Sequence, residues 1–229
     1  MKKLALALMG TALVATAASA NPVNFTGPYA GLSVGMGVLN GDSSVNPNAA
    51  AVTAGVSSGK SSISGRGVMG GLELGYQKAF PNNFLLGLGL HGDFSNLKNR
   101  TKVDTFSSKL ALENAFGGSL KLGTVIGSAL AYVKVGIESA RWKHKGSLLA
   151  STYTLTKKAK KRLIGVVPAI GVETKLNDRV NLGVEARYAM YKKTSQVFTS
   201  GTSQVTVKSK PNVLDARLTL KYQLSGFGY

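Results

Sequence analysis

Cysteine is missing from the 229 residues, and histidine occurs only at His91 and His144. Without cysteine there is no disulfide framework, and two isolated histidines cannot build a closed tetrahedral metal set. Acidic residues are scarce as well, Asp+Glu 10 against Lys+Arg 28, for a formal charge of +18. Beyond residue 20 no apolar run approaches the roughly 18 to 20 residues that a spanning helix requires, which excludes a helical membrane protein but not a β-barrel. The apolar run over 4–14 is itself too short to span. It lies between Met1-Lys2-Lys3 and Ala18-Ser19-Ala20, and this charged start, apolar middle and A-x-A ending predict a secretory signal peptide over 1–20, cleaved before Asn21.

What the chain does have is alternation. In 162–175, Ile164, Val166, Pro168, Ile170 and Val172 fall on one side, with Gly165, Val167, Ala169, Gly171, Glu173 and Lys175 on the other. That is a strand's period of two. After the turn Leu176-Asn177-Asp178-Arg179 the pattern resumes over 180–191. The same reading places strands at 29–39, 67–80, 84–94, 109–123, 130–142 and 212–224. In the strand at 109–123, Leu110, Leu112 and Phe116 are assigned to the apolar face, with Glu113 and Ala115 opposite.

Short turns at 81–83, 124–128 and 176–179 alternate strictly with long loops at 40–64, 95–108, 143–161 and 192–211. The prediction is all-β: an eight-stranded antiparallel up-and-down transmembrane β-barrel over 21–229. Its N-terminus and short turns are periplasmic and its four long loops extracellular. The competing architecture is a soluble lipocalin-like barrel with its apolar face turned inward.

Charge sorting favours the membrane form. Glu73, Asp93, Glu113, Glu138, Glu173, Glu185 and Asp215 share the Gly/Ser-rich faces with Lys121, Lys134, Lys175, Arg187, Arg217 and Lys221. In hydrocarbon each basic residue near the midplane would cost about 2 to 4 kcal/mol, whereas inside a narrow lumen acids and bases can pair. The expected lumen network is Glu73, Glu113, Lys121, Lys134, Glu138, Glu173, Glu185, Arg187, Asp215 and Arg217. Glu138 with Lys134 and Glu185 with Arg187 are the pairs anticipated within strands.

The segments GPYAGLSVG, LKLGTVIGSALAYVKVG and VPAIGVETKLNDRVNLGVEARY resemble the OmpA-like outer-membrane barrel family, particularly the opacity-type and small eight-stranded surface proteins. The resemblance covers essentially the whole chain after residue 20. It implies a monomer in the bacterial outer membrane and a last strand read by the outer-membrane assembly machinery. Members usually end on alternating aromatics and a terminal Phe; here Tyr222-Gln223-Leu224 holds that place, and Phe227 and Tyr229 follow. No peptidoglycan-binding domain is expected after the barrel.

Two motifs suggest chemistry and lack the context for it. Gly31-Leu32-Ser33-Val34-Gly35 matches the nucleophile elbow but sits within an alternating strand, where no strand-to-helix turn exposes the serine. Gly87 to Gly92 matches G-x-G-x-x-G without the helix start that holds a pyrophosphate. His91 is expected to face the lumen beside Asp93, and His144 stands between two lysines. No base-nucleophile pair emerges, so no catalytic residue, metal ligand or cofactor is assigned.

The loops carry seventeen cations, including Lys60, Arg66, Lys109, Lys208 and Lys210, against only Asp42 and Asp104. The assigned anion-binding set is Lys98, Arg100, Lys102, Lys143, Lys145, Lys157, Lys158, Lys160, Lys161, Arg162, Lys192 and Lys193. Such a crown repels itself and favours anionic partners: the phosphates of lipopolysaccharide among outer-membrane lipid, and host surface polyanions or proteins. The expected function is structural and surface-interacting. A narrow anion-favouring pore is the alternative.

Overall fold

The computed structural model describes residues 25–53, 58–103, 106–150, 153–200 and 202–224. The signal peptide expected over 1–20, Phe227 and Tyr229 lie outside the described residues. The elements are β1 (Gly27–Pro47), α1 (Ala49–Thr53), β2 (Gly59–Ala79), β3 (Phe84–Ser95), β4 (Lys98–Val103), β5 (Phe106–Ile126), β6 (Ala129–Ala150), β7 (Tyr153–Lys175), β8 (Val180–Tyr191), β9 (Thr194–Ser200) and β10 (Ser203–Gln223). After Asn96-Leu97, β4 resumes the course of β3 along β5; after Lys192-Lys193, β9 lies against β10. Eight staves result. They run antiparallel in the order β1-β10-β8-β7-β6-β5-β3-β2, and β1 pairing with β2 closes the barrel.

The outer face is apolar. Met36 is 69% exposed, Leu90 70%, Ile137 64% and Ile170 63%, while the alternate residues are buried. An aliphatic band of this kind is stable only in hydrocarbon, and it rules out the inward-facing apolar lining of a lipocalin. Three short turns close one end. Asn83 (φ 63°) and Gly127 (φ 59°) supply the left-handed backbone that two of them need.

At the other end the four long loops are mostly strand. Pairing between β6 and β7 continues out to Ala150↔Tyr153, with 22 and 23 residues in the two strands. Since roughly 9 to 11 residues cross the bilayer, about half of each projects beyond it as a ribbon. Period-two hydrophobicity missed these segments because both faces of most of them are polar. The ribbon of β1 and β10 has a small core of its own, with Ala51 of α1 packed on Val45, Val205 and Val207. Asn48 fixes this helical turn, its Oδ1 accepting from the Ala51 and Gln204 N–H groups at 2.9 and 3.0 Å.

The fourth predicted strand also needs correction. A register shift between Leu112 and Ala115 marks a β-bulge in β5, so both of these residues point inward and are buried. The bulge changes the phase of the strand, and Leu112 leaves the predicted lipid face for the interior.

Three tyrosines shape the inner wall. Tyr29, Tyr132 and Tyr191 stand directly opposite Gly75, Gly171 and Gly165 on neighbouring strands, and each ring occupies the space a glycine Cβ would fill. This is aromatic rescue of strand glycines. It also aims each hydroxyl at a lumen carboxylate: Tyr29 at the half-buried Glu73, Tyr132 at the buried Glu185 and Tyr191 at the buried Glu138.

Candidate functional site

The lumen is filled. Toward the short turns, Phe25, Leu85, Val125, Leu130 and Tyr132 form an apolar cap. Toward the ribbons, a second apolar cluster includes Leu39, Leu97, Leu112, Trp142, Tyr191 and Val213, with the Trp142 and Tyr191 rings edge-on at 5.2 Å. Between the two lies an ion network in two tiers.

In the tier nearer the short turns, Glu173 sits between Lys121 at 3.0 Å and Lys221 at 2.5 Å. Lys134 lies 2.6 Å from Glu185 and 3.6 Å from Glu73, and Lys121 stands 4.5 Å from the centre of the Tyr132 ring. In the other tier Arg187 donates to Asp93 at 2.8 Å and to Glu138 at 2.9 Å. Arg217 donates to both Asp93 and Asp215 at 2.5 Å. His91 Nε2 lies 3.3 Å from Glu138. The cavity left among Asp93, Glu138, Arg187 and Asp215 is about 10 Å³, roughly one water's worth.

Of the ten residues assigned to this network, the structure brings nine together and moves one. Glu113 lies outside the lumen because the β5 bulge reverses its direction; it is about one-third exposed and ion-paired with Lys143. Asp93, Lys221 and His91 complete the set. The ion pairs also differ from those anticipated, since Lys134 takes Glu185 and Arg187 takes Glu138 across strands. Residues on other strands compete with those two or four apart on one strand, and the sequence alone does not rank them. Lys175 stays at the mouth, where it donates to the Asp178 carbonyl at 3.2 Å. His91, Asp93 and Glu138 come within 4.8 Å of one another, close enough to suggest metal ligands. A divalent ion there would have to displace the Arg187 and Arg217 guanidiniums from the same oxygens.

The second feature is a cationic face on β4, β5, β6 and β7. Arg100 is opposite Lys109, Lys109 opposite Lys145, and Lys145 opposite Lys158, which makes four cations in one row across four strands. The next row pairs Lys143 with Lys160, and the one nearest the apolar band pairs Arg141 with Arg162. Lys98 is in register with Ala111, Lys102 with Ser107, Lys157 with Gly146 and Lys161 with Trp142. The Lys192 N–H donates to the Ile164 carbonyl at 3.1 Å, which sets Lys192 opposite Ile164, one outward position short of Arg162, and Lys193 is exposed. Of Arg100, Lys102, Lys109, Lys145, Lys157 and Lys158 the structure describes the backbone register. Arg141 escaped the sequence reading because it was counted with a membrane strand; the signal was the odd-numbered run Arg141, Lys143, Lys145. Among the described residues, Glu113 is the acid on this face. The hydrogen bond from Lys143 holds its carboxyl below the usual range, helped by the charges of Lys143, Lys160 and Arg141 against slight desolvation. Across the barrel, Lys60, Lys193, Lys208 and Lys210 border a separate cleft of about 630 Å³ with Asp42 and several serines.

The outer membrane protein beta-barrel domain family matches residues 4–223. Among solved structures, the outer membrane protein OprG of Pseudomonas aeruginosa is 12% identical with a TM-score of 0.51, the match covering 87% of this chain and 97% of OprG. Ail, the attachment invasion locus protein of Yersinia pestis, is 13% identical with a TM-score of 0.34, over 83% of this chain and 99% of Ail. Neisserial surface protein A is 15% identical with a TM-score of 0.29, over 80% and 95%. At these identities a likeness bears on the fold alone. No curated protein sequence matches.

Proposed function

The chain belongs to the outer membrane protein beta-barrel domain family and to the bacterial outer membrane, and from that premise we propose that it is a non-enzymatic, non-conducting surface barrel of the opacity type whose ribbons bind anionic groups. The short turns face the periplasm and the ribbons face outward, the asymmetry usual for such barrels. The barrel works as a monomer, delivered by the assembly machinery through its last strand.

One observation carries the proposal: the row Arg100, Lys109, Lys145 and Lys158. Strands lie about 4.8 Å apart, and like charges directly opposite one another destabilise a sheet. A polyanion laid across the row removes that penalty, and its phosphates or sulfates gain charge-assisted hydrogen bonds. Lipopolysaccharide is the first such ligand by proximity; sulfated host glycans and acidic host proteins carry the same chemistry. The pore reading loses ground because two apolar caps and the ion network occupy the lumen. The test is heparin and lipopolysaccharide binding by the refolded barrel at low salt. Replacing Arg100, Lys109, Lys145 and Lys158 by Gln is expected to lower heparin binding at least about tenfold; unchanged binding would sink the proposal.

A further inference from the structure

We infer that the outer wall of β6 and β7 holds one phosphorylated glycolipid of the outer leaflet, with an acyl chain in an apolar groove and the phosphates on Arg141 and Arg162. This rests on the outward orientation of the ribbons proposed above and goes on to name a site and an occupant.

The groove, about 480 Å³, is lined by Leu122, Val133, Val135, Pro168, Ile170 and Ala186 among others. Its position has a cause in the backbone. Pairing between β7 and β8 passes from Val166↔Met190 directly to Ala169↔Arg187, leaving Val167 and Pro168 outside the ladder. Proline has no N–H to give it. Ala186, in register with Ile170 beside this gap, is the smallest outward side chain of β8, so the wall dips where its neighbours bulge.

The cations stand in line with the dip. Up β6 from Val135 the outward positions are Ile137, Ser139, Arg141 and Lys143; up β7 from Pro168 they are Val166, Ile164, Arg162 and Lys160. Six residues separate groove from arginine on each strand, roughly 20 Å along the strand and roughly 15 Å in height at the usual tilt. That height is half of the approximately 30 Å hydrocarbon core. The groove therefore sits near the midplane and the arginine pair at the surface of one leaflet, the two ends of a single acyl chain.

Charge selects the headgroup. Arg141 and Arg162 are directly opposed, with Lys143 and Lys160 one row beyond and the exposed Lys192 one outward row nearer the groove, opposite Ile164; Glu113 is ion-paired with Lys143. Paired guanidiniums suit bidentate phosphate contacts, and two of them call for more than one negative charge. A zwitterionic phospholipid leaves that demand unmet, and a soluble polyanion leaves the groove empty. A glycolipid with two phosphates satisfies both.

The experiment is native mass spectrometry of the refolded full chain in micelles supplied with equal mole fractions of lipid A, phosphatidylglycerol and phosphatidylethanolamine, with heparin binding measured in parallel. Wild type is expected to retain one lipid A. R141Q/R162Q, and separately A186F with A186L as its milder companion, are expected to lower that occupancy about tenfold, with heat-modifiable migration on gels confirming a folded barrel. Heparin binding by A186F should match wild type. Full retention of lipid A by both Ala186 variants, or equal retention of phosphatidylglycerol by wild type, overturns the site and leaves the surface-binding function standing. If the four-residue Gln variant of the outer row keeps its heparin binding while A186F loses lipid A, the function fails and the site survives.

Discussion

Glu173→Gln is the sharpest probe of the lumen. The carboxylate is 1% exposed and lies 3.0 Å from Lys121 and 2.5 Å from Lys221. At about 3 Å and an effective dielectric near 20, each contact represents roughly 5 to 6 kcal/mol of attraction before desolvation. Breaking a buried pair by removing one partner costs about 3 to 5 kcal/mol, because the other charge stays stranded. Three contacts soften the loss. Lys221 keeps Glu73 at 3.8 Å, and both ammoniums keep an aromatic face, Lys121 at 4.5 Å from Tyr132 and Lys221 at 4.9 Å from Tyr29. Each such face is worth up to about 2 kcal/mol when desolvated. The expected loss is therefore about 3 kcal/mol, toward the low end for a buried pair, read from urea unfolding of the refolded barrel in micelles. Adding Lys121→Met removes one stranded cation and should recover roughly half of it. A loss under about 1 kcal/mol, the size seen for exposed pairs, would mean that water screens the lumen, and the reasoning for a dry plug would be refuted. So would a double variant no more stable than the single one.

Other consequences are open to simpler measurements. In planar bilayers the barrel should show no steady conductance steps; steps altered by Arg187→Gln would restore the pore reading. Glu113→Gln frees Lys143 and should strengthen heparin binding at neutral pH by about two- to fivefold, the worth of an exposed ion pair. In the unaltered protein the same gain should appear only on acidification: a carboxyl held below its usual range keeps its pairing above the ordinary value of about 4.3 and loses it as pH falls through the lowered one. Gly171→Val drives a side chain into the space of the Tyr132 ring and pulls its hydroxyl from Glu185. Unfolding measurements should show a loss of about 2 to 3 kcal/mol, and no loss would show that the ring is free to move aside. Raising salt from 50 to 500 mM should abolish most heparin binding while moving the unfolding midpoint little, since attraction between a polyanion and cations in water is screened by salt and buried ion pairs are screened much less.

How much of this was legible depended on which force set the pattern. The lipid-facing residues were readable because hydrocarbon demands an apolar side chain at every second position, as at Val133, Val135 and Ile137. The ribbons were not, since water makes no such demand of Gly146, Ser147 or Thr156, and the segment 143–161 passed for loop. The lumen set was readable as a class for the same reason as the lipid face, but its pairings were not. Lys134 of β6 reaches Glu185 of β8 rather than Glu138, past the small Ala169 and Gly171 of the strand between them, and strand order brings the two together where sequence spacing does not. Arg141 and the groove beneath it depended on cross-strand register and on an interruption at Pro168 that alternation alone does not reveal.

The bulge in β5 ties the two halves of the molecule together. Among the described lumen residues, Lys121, Lys134, Arg187, Arg217 and Lys221 face Glu73, Asp93, Glu138, Glu173, Glu185 and Asp215, so the interior contributes nothing to the positive surplus of the chain. Apart from Lys2 and Lys3 in the expected signal peptide, that surplus lies outside the lumen. Had β5 kept its phase, Glu113 would turn inward opposite Trp142 as a seventh acid and Leu112 would leave the apolar cluster with Trp142. The extra residue of the bulge reverses both placements at once. It keeps the interior close to neutral, completes the plug, and sets a single carboxylate on the cationic face beside Lys143 and Arg141. A backbone irregularity is thus what allows the same alternating strand to serve a sealed interior and a charged surface, and restoring regular pairing there should disturb both.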